Sequence, residues 1–359
     1  MLKARESVRS LPLYNAPLVA RAGLRLDLNE NTAGCSPRVL ARLRELTAND
    51  VGYYRAREPM EALVASRLGL DPNEVLLTNG VDEGIHLLAG TFLEPGDEAL
   101  VVVPTFVMYE IAMAATGARI VKVPCELDFS FPLAKLISEI NPRTRLIAIA
   151  NPNNPTGSVV SGETLAEIAR RAPNAAVLID EAYFEFYGTT ILGEWRRELP
   201  NLFVARTFSK AYGMAGLRVG VLAGNAEHIG LVRRVTTPFN VNAVALACLP
   251  AALADGKYVR EYVEQVRVGR EQIREELSRL GIPCCASEAN FLLAEIGPSH
   301  AAFVNAMEDK GVLVRDRSQD DGCDGWVRIS IGKSEHTAQL LIVLRAALAE
   351  IGQTEAAAK

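Results

Sequence analysis

The chain has 359 residues, 49% hydrophobic and 23% charged, enough for two packed units and unlike a disordered or fibrous protein. A formal net charge of −5 offers no broad basic face for nucleic acid. No apolar run approaches the roughly 20 residues that span a bilayer, and scattered cysteines and histidines exclude a metal site, so a cytoplasmic protein with reduced thiols is expected.

Residues 1–30 read as an irregular arm with prolines at 12 and 17 and one buried polar turn around Asp27 and Asn29. The spacing of Val39, Leu40 and Leu43 predicts an amphipathic helix over 37–46. A loop with Tyr53 and Tyr54 follows, then a helix over 58–68 bracketed by Pro59 and Gly69. Short apolar runs at 75–78, 99–103, 119–123, 145–150, 175–179, 202–205 and 217–223 then alternate with helical patterns, among them 79–92 and 106–115. Strands made of uninterrupted Val, Ile, Leu and Ala are buried on both faces. The expected fold is therefore α/β, a mostly parallel sheet with helices on each side. Beyond Pro238 the pattern changes. An apolar helix over 241–254 should be kinked or interrupted by Pro250. A long charged helix over 257–280 follows, then strands within 284–296, 312–315 and 326–331, with helices at 301–310 and 335–351. The expected division is an arm over 1–30, a large domain over 31–250 and a small C-terminal domain over 251–359.

Ligands of such sheets collect at the carboxyl ends of the strands, which groups Asn79, Asn154, Asp180, Ser209 and Lys210. Lysine is seldom buried without a chemical reason. Lys210, between two core strands and flanked by hydroxyls, suits a Schiff base to a phosphate-bearing carbonyl cofactor. Asn79-Gly80-Val81-Asp82 turns a strand into a helix, whose free N–H groups and dipole favour phosphate, with Ser209 and Arg218 as further donors. Asn154 sits in a rigid, proline-braced turn. Asp180 ends a buried strand and needs a cationic partner, which a pyridinium nitrogen would supply. Taken singly, these positions also have plainer readings: helix caps at Asn79 and Asp180, and an ordinary β-turn at Asn154.

Three motifs in series, N-x-x-N-P-T-G from Asn151, D-E-A-Y from Asp180 and S-K-x-x-x-x-x-G-x-R from Ser209, resemble the class I/II pyridoxal-phosphate (PLP) aminotransferases. Gly80-Val81-Asp82-Glu83-Gly84, the segment Pro104 to Tyr109, the arm Leu28-Asn29-Glu30-Asn31, and the pairs Val314-Arg315 and Val327-Arg328 resemble the histidinol-phosphate aminotransferase branch. The resemblance runs from about residue 8 to about 348. It implies PLP fold type I, aspartate-aminotransferase-like: a large αβα domain on a mostly parallel seven-stranded sheet, plus a small α+β domain. It also implies PLP as cofactor, a small-molecule amino donor, a 2-oxo acid acceptor, and a homodimer with shared active sites.

Residue by residue, the resemblance assigns Lys210 to the Schiff base and to proton transfer. Asp180 pairs the ring nitrogen, and Asn154 and Tyr183 contact the ring oxygen O3′. Val81, Asp82, Ser209 and Arg218 surround the phosphate, and Phe106 stacks on the ring. Tyr54 reaches the partner's phosphate site. Tyr14, Asn29, Arg315 and Arg328 line the substrate side. A second arginine beside Arg328 makes sense if the donor carries a phosphate, as L-histidinol phosphate does. Pairing of Arg315 with Asp316 or Asp320 would remove that role. An aromatic or broad-range aminotransferase and a threonine-phosphate decarboxylase are the neighbouring alternatives. Two departures stand out: Tyr53-Tyr54-Arg55 replaces the family's Tyr-Pro, and Thr32 replaces the proline after Asn31.

Overall fold

The computed structural model describes residues 2–13, 22–193 and 197–357. In chain order, the first eight strands are β1 (Leu24–Arg25), β2 (Val75–Thr78), β3 (Glu98–Val103), β4 (Arg119–Pro124), β5 (Thr144–Ala150), β6 (Ala176–Asp180), β7 (Leu202–Thr207) and β8 (Gly220–Gly224). The last seven form one sheet in the order β2-β8-β7-β6-β5-β3-β4. Only β8 runs antiparallel to its neighbours.

Every residue of β2, β6 and β8 is buried, as their unbroken apolar composition requires. Alternate side chains feed two cores. Leu77, Leu100, Ile147, Val177 and Val204 pack on one face, with Val39, Val64, Leu165 and Leu246 from the covering helices. Leu76, Val101, Ala148, Leu178 and Phe203 pack on the other, with Ile85, Tyr109 and Val232. Each such large apolar side chain contributes about 1.5–3 kcal/mol on burial.

Two expectations are corrected. The helix expected over 106–115 is Met108–Ala114. The residues before it are held on the 151–157 turn instead, where Thr105 donates to Asn153 and Asn153 donates to the Pro104 carbonyl. Pro250 does not interrupt its helix, which runs unbroken from Ala243 to Ala254. The missing N–H costs about 3 kcal/mol, and burial of Leu246, Leu249 and Leu253 offsets it.

The C-terminal part adds β9 (Phe291–Glu295), β10 (Val312–Leu313), β11 (Arg315–Asp316) and β12 (Trp326–Ser330). Strands β11, β12 and β9 make an antiparallel sheet in that order. Its core gathers Tyr262, Ile273, Leu292, Phe303, Ile329 and Leu344 beneath the helices Gly256–Arg279, His300–Asp309 and Ser334–Ala357. The arm joins this part, not the large sheet. Strand β1 pairs in parallel with β10, and Leu26 is fully buried in the same core. At the position where a proline is usual, the Thr32 hydroxyl accepts the Lys333 N–H at 3.0 Å, a second tie between arm and C-terminal part. Among the described residues, no helix is long and apolar enough to cross a membrane.

Candidate active site

The carboxyl ends of β5, β6 and β7 open into a cavity of about 250 Å³, roofed by the arm at Leu28 to Glu30 and by the arginines of β11 and β12. Asp180, the last residue of β6, is 4% exposed. One of its oxygens accepts the Ala182 N–H at 2.9 Å and the other the phenol of Tyr109 at 2.6 Å. Burial nevertheless pushes its carboxyl up to about 6. Its two hydrogen bonds lower the value but do not cancel the effect of burial.

Tyr109 escaped the sequence reading. Its signal was its place three residues after Phe106, one helical turn on. The two rings meet edge to face at 5.8 Å, so Tyr109 supports both Asp180 and the aromatic wall.

Lys210 follows β7, and its Nζ donates to the Leu28 carbonyl at 3.1 Å. Burial, then the field of Arg328, push its ammonium down to about 8. The Tyr183 hydroxyl accepts the Asn29 side-chain amide at 2.9 Å, so its own proton stays free to donate. Asn29 adopts a left-handed backbone (φ 55°), and its amide oxygen accepts from Ser330. Asn29 therefore reaches the cavity, but its side chain is engaged by Tyr183 and Ser330. The Asn154 amide oxygen accepts from Arg328 at 2.6 Å, and Arg328 also donates to the Asp27 carbonyl. That leaves the Asn154 N–H₂ as the free end of the amide.

A third set lies at the start of the helix Gly80–Phe92. The Asn79 side chain does not cap it, so first-turn N–H groups stay available beside Val81 and Asp82, which line the cavity. Gly80 has φ 73°, and a Cβ there would collide with the Arg218 guanidinium. Arg218 itself takes a left-handed backbone (φ 53°), pairs with Asp82 at 3.0 Å and donates to Ser209 at 3.3 Å. This cradle matches a phosphate, the unpaired Asp180 a cationic ring nitrogen, and the weakened Lys210 a carbonyl. The residues present fit PLP.

Phe106, Arg315 and Arg328 line the cavity as expected, and so does Arg317, which the sequence reading passed over. It lies two positions after Arg315, just past the end of β11, and that nearness was its signal. Among the described residues Arg315 makes no ion pair, because Asp316 meets His300 and Asp320 meets Arg317. Tyr54 stands apart from the cavity of its own chain, 82% exposed and stacked on Phe239 at 4.2 Å. Tyr14 lies outside the described residues.

A family model for aminotransferase class I and II matches residues 21–344. Histidinol-phosphate aminotransferase 2 of Carboxydothermus hydrogenoformans is 34% identical over 336 residues, 90% of this chain and 91% of that protein. The protein of the same name from Ralstonia nicotianae is 38% identical, over 83% of this chain and 80% of its own. The histidinol-phosphate aminotransferase of Sinorhizobium meliloti, solved in complex with pyridoxal-5′-phosphate, superposes with a TM-score of 0.88 at 24% identity, covering 98% of this chain and 99% of that one. Aspartate aminotransferase of Thermus thermophilus gives 0.81 at 24% identity, over 98% and 100%. These two likenesses show a shared fold, fold type I. With the family model spanning most of its length and relatives above 30% identity covering nine-tenths of it, the chain belongs to the class I and II aminotransferases.

Proposed function

We propose that this aminotransferase holds PLP at Lys210 and moves the amino group of L-histidinol phosphate to 2-oxoglutarate, in alternating half-reactions. The observation that carries the donor assignment is Arg315, which makes no ion pair among the described residues and lines the same cavity as Lys210 and Asp180. The relatives' names point the same way. Two anion-binding arginines serve both substrates: the two carboxylates of 2-oxoglutarate, and the phosphate of the donor.

The N–H groups at Val81 and Asp82, with Ser209 and Arg218, hold the cofactor phosphate. Asp180 faces the ring nitrogen, Asn154 and Tyr183 face O3′, and Phe106 covers the ring. Once bound, the cofactor supplies a carbonyl carbon for the amino group and an electron-poor ring for the charge left when a proton departs. Asp180, offered a cationic neighbour, stays ionised and holds that cation in place. Lys210 would hold the cofactor carbonyl as a Schiff base and, once free of it, would carry a proton between the donor carbon and the cofactor's carbonyl carbon. At pH 7 an amine with a pKa of about 8 is about one-tenth unprotonated, so it serves as base and acid in turn.

Residues 1–30, 31–250 and 251–359 act in this reading as arm, cofactor-holding domain and arginine-bearing domain. The enzyme works as a homodimer. Val51, Tyr53, Tyr54 and Phe239 form an exposed apolar face that a second copy covers, with Tyr54 reaching the partner's phosphate cradle. The six free thiols suit the cytoplasm.

Arg315→Ala tests the donor reading. It should lower kcat/KM for L-histidinol phosphate about thirtyfold more than for L-phenylalanine, about 2 kcal/mol for a lost charge-assisted pair. Equal losses for the two donors would contradict it.

A further inference from the structure

Arg315 and Arg328 stand directly opposite one another on antiparallel strands. Arg317, just past the end of β11, adds a third guanidinium to the same cavity. Opposed like charges repel, so this face needs anions. The chain supplies two of its own within five residues of Arg315, and neither pairs with it. Asp316 meets His300 Nδ1 at 3.0 Å and accepts the Ser318 N–H at 2.9 Å. Asp320 is ion-paired to Arg317, which is 9% exposed. Asp320 lies within the fields of all three arginines, Arg317 first, then Arg328 and Arg315. Released from Arg317, it would remain in the field of Arg315.

We propose that Arg317 is a positioning residue for substrate selection: it neutralises Asp320 and holds it away from Arg315, leaving Arg315 free for the anionic group of the substrate. This rests on the reading of Arg315 as an anion-binding group. Without Arg317, Asp320 competes with an incoming phosphate for Arg315 and repels it as a like charge. Both effects have the same sign and act on binding, not on proton transfer. Arg317 therefore governs KM for a phosphorylated donor and leaves kcat nearly unchanged.

The test uses holoenzyme of the wild type, Arg317→Gln, Asp320→Asn and the double variant. Two quantities are read: KM for L-histidinol phosphate, and inhibition by inorganic phosphate competing with whichever donor turns over best. Arg317→Gln should weaken phosphate inhibition and raise that KM about tenfold, with kcat within about twofold and KM for L-phenylalanine unchanged. Adding Asp320→Asn should restore both to within about twofold of wild type. Unchanged phosphate inhibition in Arg317→Gln overturns the proposal. So does a double variant as impaired as the single one, because Arg317 would then itself grip the anion. Should Arg317→Gln fail to fold, Asp320→Asn alone decides: phosphate inhibition at least as strong as wild type supports the proposal, and weaker inhibition overturns it. The phosphate arm does not depend on the donor. A wild type that prefers a non-phosphorylated donor, with the phosphate pattern intact, sinks the donor assignment and keeps this one.

Discussion

Asp180 and Lys210 are displaced in opposite directions by one main cause, burial. The sign for Asp180 is definite. Its pKa is raised to about 6, so below that pH it is neutral and cannot balance a cationic ring nitrogen. Cofactor affinity should fall as pH drops through about 6 in the wild type, and Asp180→Asn should lose that step while losing turnover by about a thousandfold or more. Dissociation constants for PLP from pH 5 to 8 check this, and identical profiles in both proteins would contradict it. Tyr109→Phe removes a donor to the carboxylate and should move the step to higher pH. Lys210 should titrate near 8, so the rate at which apoenzyme takes up PLP should rise through that pH and not through 10.5. Lys210 and Asp180 were legible in the sequence because each is a charged residue at or just after the end of a core strand, and Arg218 because it lies just before one. Tyr109 was not, because a buried tyrosine beside apolar neighbours looks like packing. Only the fold brings its hydroxyl to a carboxylate 71 positions away.

At the scale of elements, the strands were readable because burial on both faces leaves no polar alternation to blur them. The helix Leu133–Glu139 was not, since it has only seven residues and buries only Leu136. The Asn79–Asp82 turn has geometry that one methyl group can test. Gly80→Ala must adopt a left-handed backbone and displace Arg218 from its contact with Asp82 and Ser209. It should cost about 1–2 kcal/mol in stability and weaken PLP retention about tenfold or more. Thermal unfolding with and without PLP reads both. A variant that keeps wild-type affinity would place the phosphate elsewhere. The arm was harder to read. Its two-residue strand and its Thr32 contact each depend on a partner about 290 to 300 residues away, which periodicity does not register.

For the whole molecule, the large sheet and the cavity were legible, whereas the proposed partner subunit rests on an exposed tyrosine pair that stands apart from the cavity of its own chain. Mixing Lys210→Ala with Tyr54→Phe subunits should produce heterodimers with one intact site and regain activity over either variant alone. Confirmed heterodimers without that gain would remove the shared-site reading. The central claim is the reaction itself, amino transfer from a phosphorylated donor to 2-oxoglutarate. The direct measurement is a donor panel assayed with 2-oxoglutarate, following glutamate formation and carbon dioxide release together. L-histidinol phosphate should have the highest kcat/KM and yield glutamate without carbon dioxide. A preference for L-phenylalanine or L-aspartate, or carbon dioxide released from a phosphorylated amino acid, would contradict it.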